Sequence, residues 1–416
     1  MRPPGITHRL RAAIAGVSLG LVCSCPAGDA AAQLRFAHHF VDRTLPVADP
    51  TTGDYGLTAL ADLDRDGDLD FVTGGRCVPP STLYWYEFQA PDRWQRHVVG
   101  TNYLSDVGLA AHDVDRDGWV DLVCSGVWYR NTGQPRADRF TRLEFDPAAG
   151  GAHDVLVADL DGDRREDIVL MGDARTALRS LRWYSIPKDP RQPWAGHEIG
   201  PAVHGAITPG GAADLDADGD LDLLRANTWF ENADGRALRW IAHANLPMGR
   251  PGPYGICVRT AVVDLDGDGQ AEIVMADADI TGSKVAILTN VDRQGGSWRR
   301  QDLPQTFEYG SLHSLAVADL NGDRRPEIIV NEQEELLPAG RRNPRWVVWE
   351  NLGQGAFAER VILDQALGGH ELQAGDVDGD GDIDLCSKPW GPQPWNGAGG
   401  AMHVDWLENL LRSRHP

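Results

Sequence analysis

The chain has 416 residues, 42% hydrophobic and 24% charged, with a formal net charge of −22 at pH 7. That length would make two or three ordinary domains. An acidic chain without a basic run excludes a nucleic-acid-binding role, which needs a cationic face.

The N-terminus reads as a secretory signal peptide over residues 1–32. Arg2, Arg9 and Arg11 form a charged start, Ala12–Val22 is an apolar run too short to span a membrane, and Ala30-Ala31-Ala32 precedes Gln33 as a small-residue cleavage site. The expected mature protein is therefore 33–416, secreted to a periplasmic or extracellular space. The alternative is a lipoprotein anchored at Cys25, after Val22-Cys23-Ser24. No later segment is long and apolar enough for a transmembrane helix, and nothing in the sequence sets the oligomeric state. Cleavage leaves Cys77, Cys124, Cys257 and Cys386, whose possible pairings stay open. Cys124 and Cys386 fall in apolar runs and read as small buried thiols.

Residues 34–42 alternate as a strand. From Asp62 begins a nine-residue stretch, Asp62-Leu-Asp-Arg-Asp-Gly-Asp-Leu-Asp70, which occurs seven times. The later copies start at Asp113, Asp159, Asp214, Asp264, Asp319 and Asp376, spaced 46 to 57 residues apart. A period of that size marks a repeat architecture in which each repeat is one supersecondary unit, so residues 33–416 read as a single domain.

Positions 1, 3, 5 and 9 of every copy carry an oxygen side chain. They are Asp62, Asp64, Asp66 and Asp70 in the first copy, Asp113, Asp115, Asp117 and Asp121 in the second, and Asp159, Asp161, Asp163 and Asp167 in the third. Next come Asp214, Asp216, Asp218 and Asp222, then Asp264, Asp266, Asp268 and Glu272. The last two sets are Asp319, Asn321, Asp323 and Glu327, and Asp376, Asp378, Asp380 and Asp384. Hard oxygens at alternate positions of a tight turn suit Ca²⁺, which takes six to eight of them at roughly 2.3–2.6 Å. The seven loops hold 31 of the 61 acidic residues, so the negative charge is mostly ligand. Glycine at position 6 supplies a left-handed turn; Arg164 and Arg324 stand there in two copies, with Gly162 and Gly322 at position 4. An EF-hand is excluded, because position 12 is Thr73, Cys124, Leu170, Arg225, Met275, Val330 or Ser387 and never the bidentate Glu.

Apolar runs precede and follow each loop, so the loop joins two strands. An aromatic strand comes next, as in Leu83-Tyr-Trp-Tyr-Glu-Phe88 or Thr228-Trp-Phe-Glu-Asn232, and then an outer segment such as Trp298-Arg-Arg-Gln-Asp-Leu303. The aspartate loop between strands, repeated seven times, resembles the FG-GAP/VCBS repeats of integrin α-subunit-like β-propellers. The resemblance implies an all-β, seven-bladed β-propeller of four-stranded blades and implies Ca²⁺ as cofactor; it does not fix an activity. The seventh repeat lacks an outer segment, so the N-terminal strand is expected to complete the last blade and close the ring. The tryptophan stripe reads as blade packing rather than a sugar platform.

All seven loops then lie on one face, and function is sought on the other, where the repeats cease to resemble one another. His153, His313 and His370 each stand six residues before the first Asp of their loops, and are the candidate catalytic residues. His313 and His370 are expected to be neighbours, with His153 farther round the ring. Asp154 and Glu371 follow two of them. Tyr55, Glu332, Glu371, Lys388 and Trp390 are the candidate ligand contacts, with Asp106, Asn331, Glu334 and Trp395 nearby. This set fits an extracellular recognition module for a glycan or a cell-surface protein, with Trp390 stacking on a sugar. It also fits a polysaccharide-acting lyase or dehydratase, in which a histidine abstracts the proton α to a carboxylate.

Overall fold

The computed structural model describes residues 34–46, 55–76, 81–173, 175–393 and 398–412. The expected signal peptide over 1–32, Cys77 and Trp395 lie outside the described residues.

Each aspartate loop joins two strands, and each pair extends outward into four antiparallel strands, to which Pro209–Gly210 adds a short parallel strand beside Val258–Val263 of blade 5. Blade 1 is Tyr55–Ala61, Asp70–Gly75, Thr82–Ala90 and Arg93–Thr101; blade 2 is Ala110–His112, Asp121–Cys124, Val127–Arg130 and Thr141–Glu144. Blade 3 is Asp154–Ala158, Asp167–Met171, Ser180–Ser185 and Ala195–Pro201; blade 4 is Ala212–Ala213, Asp222–Arg225, Thr228–Asn232 and Trp240–His243. Blade 5 is Val258–Val263, Glu272–Asp277, Val285–Asn290 and Trp298–Asp302; blade 6 is Ala316–Ala318, Glu327–Asn331, Arg345–Gly353 and Ala356–Asp364. In blade 7, His370–Gly375, Asp384–Lys388 and Val404–Asn409 are joined by Phe36–Asp42, which pairs antiparallel with Val404–Asn409 as the outermost strand. Among the described residues there is no helix, and the fold is an all-β propeller of seven blades.

Burial follows position in the blade. The second strands of blades 1 and 6, Asp70–Gly75 and Glu327–Asn331, are buried along their whole length, whereas the outer strand Trp298–Asp302 alternates between exposed and half-buried. The apolar clusters therefore lie between blades rather than within them. Trp85 of blade 1 packs with Leu122 and Tyr129 of blade 2, and Tyr55 and Phe71 of blade 1 pack with Cys386 and Trp406 of blade 7. Trp85, Trp128, Trp183, Trp229, Trp346, Trp349 and Trp406 are all fully buried. Cys124, Cys257 and Cys386 are free, buried thiols.

A polar clasp repeats along the same seams. In five blades an Asn stands at or near the end of the third strand, and its side-chain N–H donates to the carbonyl of loop position 2 in the preceding blade. Asn131 reaches Leu63, Asn232 Leu160, Asn290 Leu215, Asn351 Leu265 and Asn409 Leu320, at 2.7 to 2.9 Å. Every loop so clasped is fixed to its neighbour's sheet.

Candidate functional site

The loops are pre-shaped by their own hydrogen bonds. In all seven, the N–H of position 6 donates to the position 1 carboxylate. In all seven, the N–H of position 2 donates to the position 9 carboxylate. Position 6 is left-handed throughout, with φ of 69° at Arg164 and 68° at Arg324. A side chain in that region costs about 1–2 kcal/mol, so the turn is kept in these two loops despite the missing glycine.

Position 9 is buried, and its acids are held well above the usual carboxylate range. Asp70 is pushed up to about 9, Asp121 and Asp384 to about 8, and Asp167, Asp222, Glu272 and Glu327 to about 7. Burial is the main cause, reinforced by the other loop carboxylates and opposed by the N–H bonds they accept. Asp115 Oδ1, Asp159 Oδ1 and Asp376 Oδ1 are buried without a hydrogen-bond partner. Asp113, Asp115 and Asp121 each bring one oxygen within 4.8 Å of the others, as do Asp159, Asp161 and Asp167. These all-oxygen, cation-deficient cradles fit Ca²⁺. Loops 1 and 2 differ, because Arg136 pairs with Asp64 and Asp66, and Arg130 with Asp115 and Asp117.

At the opposite end of the channel the inner strands open into a cavity of about 180 Å³, lined by His153, His204, His313, His370, Asp279 and Trp390 among others. His313 and His370 stack with ring centroids 4.2 Å apart. His153 belongs to blade 3, farther round the ring, yet it is not remote: its centroid lies 5.3 Å from that of His313 and 4.4 Å from that of His204. The inner strands converge so closely that blades 3, 6 and 7 meet there.

Three rings turn Nδ1 to a carboxylate. His153 faces Asp154 at 2.9 Å and His313 faces Glu371 at 3.2 Å, while His204 bonds Asp173. The nitrogen left on each ring is Nε2. Asp279 Oδ2, buried, pairs with His204 Nε2 at 3.1 Å and lies 4.0 Å from His313 Nε2. His153, His204, His313 and Cys257 each present one ligand atom, all within 4.8 Å of one another. Burial would lower His204, but its bonds to Asp173 and Asp279 raise it to about 9. Burial lowers His153, and burial with the charge of Lys388 lowers His370 strongly.

His370 sits between His313 and Trp390, whose ring centroid is 4.5 Å away. Its Nδ1 is 3.1 Å from Lys388 Nζ. An ammonium only donates, so Nδ1 accepts and the ring offers Nε2–H. Half-buried Trp390 and exposed Tyr254 flank the cavity, with Arg76 at 5.5 Å from the first ring and Arg175 at 4.2 Å from the second.

The chain matches the family described as FG-GAP-like repeat over residues 62–124, 113–170, 264–330 and 332–387, more than half of its length in all. It belongs to that family. Among solved structures, this FG-GAP-like propeller is similar to the V. cholerae biofilm matrix protein Bap1, at 11% identity over 92% of both chains with a TM-score of 0.48. It is similar also to NanB, solved with Optactamide, at 11% identity over 90% of this chain and 71% of that one, with a TM-score of 0.43. No curated protein sequence matches.

Not every expected contact reaches the cavity of this FG-GAP-like propeller. Tyr55 is turned into the core and donates to the Pro46 carbonyl, and Lys388 is buried behind His370. Glu332 is held by Arg341 and the N–H groups of Gly310 and Arg345. Asn331 and Glu334 tie blade 6 to Ser387 and Gly391 of the seventh repeat, while Gln333 and Glu335 line the cavity instead. Glu371 lies beneath His313 rather than in the opening. His204, Asp279, Asp173, Cys257 and Arg259 were not singled out by sequence. A register signal exists for one of them: Arg259 directly follows Val258, the counterpart of the three histidines, as Asp154 and Glu371 follow His153 and His370.

Proposed function

We propose that this exported FG-GAP-like propeller, with Ca²⁺ in its aspartate loops as a structural cofactor, acts on a carbohydrate at the channel mouth. In this reading the histidine well is a divalent-metal centre and the reaction is an elimination of the lyase or dehydratase type. One observation carries it: three buried histidines, each with a carboxylate facing Nδ1, gather with Cys257 so that one ligand atom from each lies within 4.8 Å of the others, and Asp279 stands beside two of them. Metal-binding histidines characteristically donate their second ring N–H to a carboxylate. Three nitrogens with a carboxylate or thiol suit a borderline ion such as Zn²⁺, and a cavity above them leaves a coordination position for substrate. Such an ion would supply Lewis acidity toward a substrate carbonyl or carboxylate.

The chain's own groups do the rest. Trp390 offers a face for the sugar ring. In the elimination Glu335, a carboxylate lining the same cavity, would take the substrate's α-proton, while His370 donates Nε2–H to the departing oxygen, with Lys388 placed to replace that proton. Arg76 and Arg175 stand at the rim for an anionic substituent.

The second reading is a recognition module without turnover, favoured by the flanking Trp390 and Tyr254. One experiment separates the two. Calcium-loaded protein, with and without Zn²⁺, is screened against acidic polysaccharides and small keto sugars, following both binding and the ultraviolet absorbance of an unsaturated product. Zn²⁺-dependent product lost in His313→Ala supports the enzyme. Binding that ignores Zn²⁺ and gives no product supports the module and overturns the metal centre.

A further inference from the structure

Beneath the histidines lies the next position of the repeat. The residue after the histidine position is Leu57, Gly108, Asp154, Pro209, Arg259, Ser314 and Glu371 in blades 1 to 7. The charged members fall on blades 3, 5 and 7, and uncharged Gly108, Pro209 and Ser314 separate them or flank them. All three charged residues are buried.

Arg259 Nη1 lies 3.3 Å from Asp154 Oδ1, and Arg259 Nη2 donates to Glu371 Oε2 at 2.7 Å. These are the carboxylates that face Nδ1 of His153 and of His313. One guanidinium fork thus grips both. The two arms are not equally secure without it. Asp154 Oδ2 also accepts the N–H groups of Ala206 and Ile207, at 2.8 and 2.9 Å. Glu371 sits on left-handed backbone with φ 58°, and its Oε1 faces only His313, without an aligned hydrogen bond. A lysine would keep the charge but could not hold both carboxylates in a planar fork.

We propose that Arg259 is the positioning residue of the mouth's metal centre, orienting His153 and His313 through Asp154 and Glu371, with the His313 arm the more dependent on it. This rests on the metal reading above. Outer-shell partners of this kind change metal affinity by about 10- to 100-fold when altered, whereas a residue that only plugs the channel would change stability and not the ion's surroundings.

The test is a Co²⁺ titration of the calcium-loaded full chain, read by the visible absorption of the bound ion, with melting temperature as the folding control. Wild type, Arg259→Lys, Arg259→Gln and Glu371→Gln are compared. The expected result is a loss of Co²⁺ affinity of about tenfold or more and a changed spectrum in folded Arg259→Lys. Glu371→Gln should lose similarly, and combining it with Arg259→Lys should add little. Folded Arg259→Lys with wild-type affinity and spectrum would overturn the proposal. If the Arg259 variants do not fold, Glu371→Gln decides: an unaltered spectrum there also overturns it. A wild-type protein that gains no Co²⁺ band, unchanged by His313→Gln, overturns the metal reading itself and this inference with it.

Discussion

Asn351 of blade 6 donates its side-chain N–H to the carbonyl of Leu265, inside the aspartate loop of blade 5, at 2.8 Å. The same amide nitrogen reaches the Pro326 carbonyl and its oxygen accepts the Gly353 N–H, so the side chain is satisfied on both sides while 3% exposed. Truncation would leave a buried carbonyl without its donor, which costs about 1–3 kcal/mol. Asn351→Ala should therefore lower the melting temperature clearly. Leu352→Ala, one residue on but 59% exposed, should stay within about 0.5 kcal/mol of wild type. Equal effects from the two would remove the clasp from the account of stability.

Because each clasp ends on a loop, calcium bound there as proposed would be coupled to blade packing, and pH should reveal it. In the calcium-free state Asp70, Asp121 and Asp384 titrate at about 8 to 9 and the other position 9 acids at about 7, against roughly 4 in an unfolded chain. The folded values are raised, so the folded state holds protons that the unfolded chain has released. The associated stability is complete below about pH 4 and is lost as pH rises through about 7 to 9. Calcium needs the deprotonated carboxylates, so its stabilisation should grow over the same interval. The melting temperature in EGTA is expected to fall between about pH 5 and pH 9, and millimolar Ca²⁺ to abolish the fall. A calcium-free melting temperature that climbs across that range would contradict the raised values.

Loop 2 should respond differently from loop 3. Arg130 lies across Asp115 and Asp117, two of the four expected ligands, and so supplies a positive charge from within the chain. Arg130→Gln should destabilise the calcium-free protein, by leaving these carboxylates facing each other. It should matter far less when Ca²⁺ is present, and should add to the calcium bound at saturation. Isothermal titration of the variant and wild type measures the difference; identical stoichiometry and unchanged calcium-free melting would show that Arg130 does not compete with the ion.

The loops, the number of blades and the aromatic third strands were legible because each is local and recurs in register. The clasp was not read from the sequence, although Asn131, Asn232, Asn290, Asn351 and Asn409 recur at or near the end of a third strand, because its acceptor is a backbone carbonyl of another repeat. His313 and His370 were found by register too. His204, Asp173 and Asp279 were not, because they stand beyond the ends of their strands where neighbouring repeats share no pattern. His153 does lie farther round the ring, on blade 3, but order round a ring predicts distance only if the channel stays wide, and here its ring lies 5.3 Å from that of His313.

Trp390 gives the sharpest separation of ligand binding from metal binding at the mouth. Its ring packs 4.5 Å from His370, which has Lys388 on Nδ1, whereas the three carboxylate-backed histidines that we assign to the ion have their ring contacts with one another, with Tyr254 and with His370. Trp390→Ala should weaken sugar binding by about tenfold or more, which is 1.4 kcal/mol per factor of ten, and leave the Co²⁺ spectrum unchanged. His313→Ala should lose both, since His313 would bind the ion and also stacks on His370. Parallel Co²⁺ and sugar titrations of the two variants check this. If Trp390→Ala alters the spectrum as His313→Ala does, the ring is part of the ion's surroundings and the cavity cannot be divided into a metal floor and an aromatic wall.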